Sequence, residues 1–187
     1  MIQTQRGFTL LELLIVIAIL AIVTTMGTNG LQWLSERTQA SATHSNIGHI
    51  FALARYTAVT KQSIVTICPL DKNNICVSDW ALPTAVFLDP DSKLALTADN
   101  QLIRAMVLAK AGYITPSNTS SGPRRYFQYR PDGWVRGTIG NLTWCPQSRN
   151  PEMAIHVRVN FGGRLTWSKD NNHNNIVEGA DGTDISC

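Results

Sequence analysis

From Phe8 to Met26 the only polar residues are Thr9, Glu12, Thr24 and Thr25. A helix over these 19 positions is about 28 Å long, close to the hydrocarbon thickness of a bilayer. A membrane-spanning helix is therefore expected over residues 8–28. Apolar residues continue at helical spacing beyond it: Leu31 and Leu34, then Ile47, Ile50, Phe51, Ala54 and Ala58 at i, i+3, i+4, i+7 and i+11. That spacing makes one apolar face. The two stretches predict a single helix from about Phe8 to Lys61, whose second half, 29–62, is amphipathic and packs on a sheet. Gly27 and Gly30 weaken it locally.

After Gln62 the period changes to two. Ser63–Cys68, Ala85–Leu88, Leu102–Leu108, Tyr126–Tyr129, Leu142–Cys145 and Ala154–Phe161 read as short strands. Turn signals separate them, among them Asp89-Pro90-Asp91, Pro116-Ser117-Asn118 and Pro131-Asp132-Gly133. The fold class is α+β, one long N-terminal helix feeding a β-rich head over 63–187. In the last strand Ile155, Val157, Val159 and Phe161 alternate with His156, Arg158 and Asn160, and the apolar side resumes at Leu165 and Trp167. A three-residue loop pairing Phe161 with Leu165 keeps both apolar sets inside and leaves Arg164 at an exposed tip.

The 187 residues carry a formal charge of +3, too little for the totals alone to imply affinity for a polyanion. Four cysteines, Cys68, Cys76, Cys145 and Cys187, lie downstream of the apolar run, and none forms a C-x-x-C pair. Their even number fits disulfides in an oxidising compartment better than zinc. Of three possible pairings the simplest is Cys68–Cys76 with Cys145–Cys187. Sharper chemistry is missing. There is no Gly-rich phosphate loop, G-x-S-x-G elbow or H-E-x-x-H helix. Asp89-Pro90-Asp91-Ser92-Lys93 starts like a calcium loop but places Lys93 where an oxygen ligand belongs. His44 and His49 do not share a helix face and read as solvated. No catalysis, metal or cofactor is expected, and Asn118 and Asn141 read as unmodified despite their N-x-[ST] context.

Arg6 precedes the apolar run, which leaves the N-terminus in the cytoplasm and exports the chain beyond Met26. Glu12 is the anomaly, since an ionised carboxylate in hydrocarbon costs on the order of a few kcal/mol unless it finds a cation. Arg6 with Gly7-Phe8-Thr9-Leu10-Leu11-Glu12 directly after it resembles the class III signal of type IV pilins and type II secretion pseudopilins. The resemblance implies that residues 1–7 are a leader, that a prepilin peptidase cuts between Gly7 and Phe8, and that Phe8 becomes the methylated N-terminus. It also gives Glu12 a mate. The new amine joins the positive end of the helix, and Glu12 can neutralise it within its own chain or in a neighbouring subunit, recruiting that subunit and fixing its axial register.

"TICPLDKNNIC", Trp80, "AVFLDPD", "FQYRPDGW" and "HVRVNFGGR", in that order, resemble the GspH/FimT group, with FimU-type minor pilins the nearest match. This implies a pilin fold, an inner-membrane helix with a periplasmic head, and later a place at the pilus tip or in the fibre. The implied partners are other minor pilins, the major pilin, the inner-membrane assembly machinery and membrane lipid, in a complex that primes the pilus. Two alternatives stay open: a GspH-type pseudopilin of type II secretion, and a FimT-type protein that binds DNA. FimT-type proteins carry G-R-x-R, whereas Gly163-Arg164-Leu165-Thr166 lacks the second arginine. For DNA the candidates are Arg164, Arg124 and Arg125, with Arg130 and Arg136, and Tyr126, Tyr129 and Trp134 for stacking. The competing reading packs the aromatics inside.

Overall fold

The computed structural model of the chain describes residues 8–108 and 110–187, without the side chains of 23–30. The chain divides into two compact units between Thr38 and Gln39.

Helix α1 spans Leu10–Lys61. Thr9 caps it: its Oγ1 accepts from the Glu12 N–H at 3.2 Å and its carbonyl from the Leu13 N–H at 3.1 Å. Two of the donors that a helix start leaves unpaired are thereby satisfied. At the other end Gln62 takes the left-handed conformation, with φ 49°, and the Ser63 N–H closes on the Ala58 carbonyl at 3.2 Å. This is a left-handed cap built without glycine. In the second unit the buried face of α1 runs through Thr43, Ile47, Ile50, Phe51, Ala54 and Ala58, matching the spacing in the sequence.

Two antiparallel four-stranded sheets receive that face. The first joins β1 (Val65–Pro69), β2 (Thr84–Leu88), β3 (Leu102–Met106) and β7 (Phe127–Tyr129) in the order β3-β2-β1-β7. The second joins β4 (Gly112–Pro116), β8 (Gly140–Pro146), β9 (Ile155–Val159) and β10 (Leu165–Trp167) in the order β10-β9-β8-β4. Between β4 and β7 a small hairpin pairs β5 (Asn118–Thr119) with β6 (Gly122–Pro123). The core draws on the helix and on both sheets: Ile47, Phe51, Val65, Phe127, Leu142 and Val157 belong to one cluster. Phe51 stands edge-on to Phe127 and Tyr129, with centroids 5.1 and 6.5 Å away.

Polar and covalent ties fix the loops. Asp89, buried after β2, accepts from Thr66 Oγ1 at 2.8 Å, Gln128 Nε2 at 3.2 Å, and the backbone N–H groups of Lys93 and Leu94 at 2.7 and 3.1 Å. The carboxylate that begins the calcium-like sequence is thus consumed in joining β1, β7 and the loop after β2. Disulfides link Cys68 to Cys76 and Cys145 to Cys187. The first sits in a second small apolar cluster with Ala85, Phe87 and Leu96. Each bridge contributes roughly 2–4 kcal/mol.

Several expectations need correction. Strand β4 lies where no strand is expected and Pro116 reads as the start of a turn, yet all five of its residues pair with β8. The expected turn at Pro116-Ser117-Asn118 instead leads into the β5–β6 hairpin. The expected strand to Phe161 stops at Val159, and the register is Val159 with Leu165, not Phe161 with Leu165. The loop is Phe161-Gly162-Gly163, closed by the Asn160 N–H to the Arg164 carbonyl at 3.1 Å and the Gly163 N–H to the Asn160 carbonyl at 3.0 Å. Gly163 decides this register: its φ is +71°, and a Cβ there would stand 2.6 Å from the Gly133 carbonyl oxygen and from the Tyr129 ring. Phe161 is therefore out at the tip, 59% exposed. His44 is exposed, as expected, and its ring also stacks on Trp167 with centroids 3.7 Å apart.

Because Phe51 anchors helix to sheet, Phe51→Ala should lower the unfolding free energy by roughly 3–5 kcal/mol. Substituting exposed Tyr56, on the other side of the same helix, should change it by no more than about 0.5 kcal/mol. Urea denaturation of the two variants checks the contrast.

Candidate functional site

The N-terminal unit presents its apolar residues openly. Phe8 is 77% exposed, and Leu10, Leu11, Leu13 and Leu14 are also exposed. So much uncovered apolar surface on successive turns calls for lipid or other apolar helices around it. Among the described residues no helix is long and apolar enough to cross a membrane, and part of the expected span, 8–28, falls on residues whose side chains are not described. Gly7 also lies outside the described residues. Phe8 and Glu12 lie within them, on either side of the Thr9 cap. Thr9-x-x-Glu12 is a capping-box spacing, a signal legible in the sequence. Its first half is formed, through the Glu12 N–H to Thr9 Oγ1 bond, and Glu12 itself is exposed.

The head disperses the candidate arginines. Arg124 is structural: Nε donates to Ser117 Oγ at 3.3 Å, Nη2 to the Ile139 carbonyl, and the guanidinium lies 5.3 Å from the Phe127 ring centroid. Desolvation lowers its pKa, partly offset by Tyr126. Arg125 is exposed and lines a pocket with Arg124 and Tyr126. Arg130 pairs with Asp132 at 2.8 Å, and Arg136 donates to Ser92 Oγ at 2.6 Å; these two line a different cleft, beside the end of α1. Arg164 is exposed, as expected, and lines a third cavity with Arg55. The candidate arginines thus line three different cavities. Tyr129, a candidate for stacking on bases, is buried, donates its hydroxyl to the Gly163 carbonyl at 2.9 Å, and has its pKa raised by burial. Trp134, in contrast, is 55% exposed.

Comparison with known proteins agrees with this geometry. The family model for type II transport protein GspH matches residues 45–163, well over half of the chain. The chain belongs to the GspH family. A prokaryotic N-terminal methylation motif matches residues 2–28, and implies a pilus or pseudopilus component anchored in the inner membrane. The minor pilin FimU of Pseudomonas aeruginosa is similar in structure, 14% identical, with a TM-score of 0.56 over 73% of this chain and 92% of that one. A second crystal form of FimU gives 13% identity and a TM-score of 0.53 over 69% and 92%. The minor pseudopilin EpsH of the Vibrio cholerae type 2 secretion system is 12% identical, with a TM-score of 0.48 over 69% and 95%. The likeness to the two FimU structures shows the type IV pilin fold. No curated protein sequence matches the chain.

This GspH-family head also holds a titratable group that the alternation of β9 concealed. His156 reads as an outward polar residue, but it is only 5% exposed. Its Nδ1 lies 2.8 Å from Thr143 Oγ1, and Nε2 has no hydrogen-bond partner among the described residues. Burial lowers its pKa, and Arg158 lowers it further. Asp181, in the C-terminal segment that Cys187 ties to β8, partly opposes both.

Those shifts fix the sign of the pH effect. Above the unfolded value of about 6.5 both states are neutral and His156 contributes nothing. As pH falls from there toward the lower folded value, the unfolded chain takes up the proton first and the head loses stability. His156→Gln should therefore narrow the difference between urea midpoints measured at pH 7 and pH 5. An unchanged difference would assign the acid sensitivity elsewhere.

Proposed function

We propose that the chain is a minor pilin of the type IV pilus, a subunit of the tip complex that primes assembly. The observation that carries the reading is the segment Phe8–Glu12: an apolar residue, a helix cap and an exposed carboxylate in the first turn, directly after a glycine. Prepilin peptidase removes residues 1–7, leaving the amine of Phe8 just outside the cap, where it is methylated. The residues beyond form a single inner-membrane pass, with the head in the periplasm. There both disulfides are in a compatible compartment.

Glu12 drives the assembly step. In lipid its charge is costly without a cation, and the Phe8 amine of a neighbouring subunit supplies one. Docking beside that subunit is then favoured at the register where carboxylate and amine meet, and the exposed apolar residues of the first turns pack against the neighbouring helices. Other minor pilins and the major pilin are the partners, and the role is structural. A second reading is supported by the family model itself: a pseudopilin of type II secretion, which would use the same segment in the same way. Co-purification from membranes separates the two, since pilus subunits support the first reading and secretion components the second.

Two substitutions test the segment. Gly7→Ala should leave the precursor uncut, so mass spectrometry of the membrane-extracted protein should find residues 1–7 still attached. Glu12→Ala should be cut and methylated normally, yet its incorporation into sheared filaments should fall by roughly ten-fold or more, the equivalent of the few kcal/mol that pairing saves. Normal incorporation of that variant would remove the charge-pairing step.

A further inference from the structure

Five buried polar side-chain atoms lack a hydrogen-bond partner among the described residues, and three of them, His156 Nε2, Arg158 Nε and Ser168 Oγ, cluster on one face of one sheet. Strand register puts them there. Pairing of β8 with β9 sets Thr143 opposite His156 and Asn141 opposite Arg158, and pairing of β9 with β10 sets Thr166 opposite Arg158. Ser168 continues the ladder, its N–H donating to the His156 carbonyl at 2.9 Å. Two neighbouring cross-strand rows result, Thr143-His156-Ser168 and Asn141-Arg158-Thr166. They stand on the face opposite Leu142 and Val157, which point into the core.

Over the second row opens a pocket of about 500 Å³, lined by Asn141, Arg158 and Thr166 and flanked by Ile139 and Phe161. Arg158 makes no ion pair among the described residues, and its Nε is buried without an acceptor. That Nε lies beneath the accessible surface, so a ligand in the pocket meets the terminal end of the guanidinium. A carboxylate suits that end, because its two oxygens match the two terminal nitrogens of the planar fork. Asn141 and Thr166 add polar groups on either side of it. Ile139 and Phe161, 40% and 59% exposed, are apolar walls beside a cation, and they suit a ligand whose carboxylate adjoins an apolar group.

A nucleic acid strand is a poorer match. It presents phosphates in series and needs several cations to neutralise them, whereas Arg158 is the one cation lining this pocket and Arg164 lines another. We propose that the pocket over Asn141, Arg158 and Thr166 recognises a carboxylate adjoining an apolar group. The site belongs to the head alone and does not depend on which assembly the chain joins.

The test uses the full chain in detergent micelles, monitoring by NMR the Arg158 Nε–H and the Asn141 and Thr166 amides. N-acetyl-leucine, which carries a carboxylate beside an apolar side chain, should shift them saturably, and its uncharged amide should not. Arg158→Gln and Phe161→Ala, the latter at an exposed loop tip where folding is not at stake, should each weaken binding by roughly ten-fold or more. The proposal is overturned if no saturable shift occurs, if the amide binds as well as the acid, or if neither substitution weakens binding. It is likewise overturned if inorganic phosphate or an oligothymidylate moves the same signals at lower concentration. None of these outcomes touches cleavage after Gly7 or the role of Glu12, so the pilin reading and this one fail separately.

Discussion

The stripe of α1 from Ile47 to Ala58, buried against two sheets at once, is the contact on which the rest of the head depends. Neither sheet closes on itself: the order β3-β2-β1-β7 leaves two edges, and so does β10-β9-β8-β4. Two open four-stranded sheets with apolar faces need a common partner to cover them, and the helix is that partner. Ala54 and Ala58 are fully buried, and Phe51 meets rings from the first sheet. Burial of this kind is worth about 25 cal/mol per Å² of apolar surface, so the contact draws its strength from the whole length of the stripe.

Polar and covalent ties secure the loops. The long connection between β2 and β3 packs Leu94 and Leu96 in the second apolar cluster, and its start is held by Asp89, whose two oxygens accept from two side chains and two backbone N–H groups. A buried carboxylate survives without a cation only when its acceptors are so fully used. The connection between β1 and β2 and the C-terminus each receive a disulfide. In the second case Cys187 returns the end of the chain to β8, beside the strand that carries His156 and Arg158. The polar face of the second sheet is therefore partly enclosed, which is why groups that alternation assigns to water end up buried.

The sequence made some of this legible and hid the rest for identifiable reasons. The helix was readable almost to the residue, since an almost wholly apolar run over 8–26 and a 3.6-residue apolar period over 47–58 both call for a helix, and Gln62 marks the break in pattern. Six strands were placed from their two-residue period. Strand β4 was missed because its pairing with β8 overrides the turn propensities of Gly112 and Pro116. The hairpin register failed on an assumption that every apolar residue turns inward: Gly163 needs a left-handed backbone and close approach to Tyr129, and both requirements outweigh the burial of one phenylalanine. Of the candidate site, the Phe8–Glu12 segment could be read directly because it is contiguous. Arg158 could not, since its neighbours Asn141 and Thr166 lie on other strands and only the register brings the three together.

The placement of charge separates two kinds of recognition. A surface meant for a polyanion gathers cations so that successive phosphates meet successive arginines. Here Arg124 is engaged with Ser117 and Ile139, Arg130 with Asp132, and Arg136 with Ser92, while Arg158 and Arg164 serve separate cavities. Single charges set in apolar surroundings behave differently: each is expensive to desolvate alone and strongly selective for one opposite charge at one place. On the readings proposed above, Glu12 among leucines and isoleucines is such a group, and so is Arg158 between Ile139 and Phe161. A subunit that must sit at a defined position in an assembly requires that kind of contact, because an unpaired charge penalises every arrangement except the one that supplies its mate.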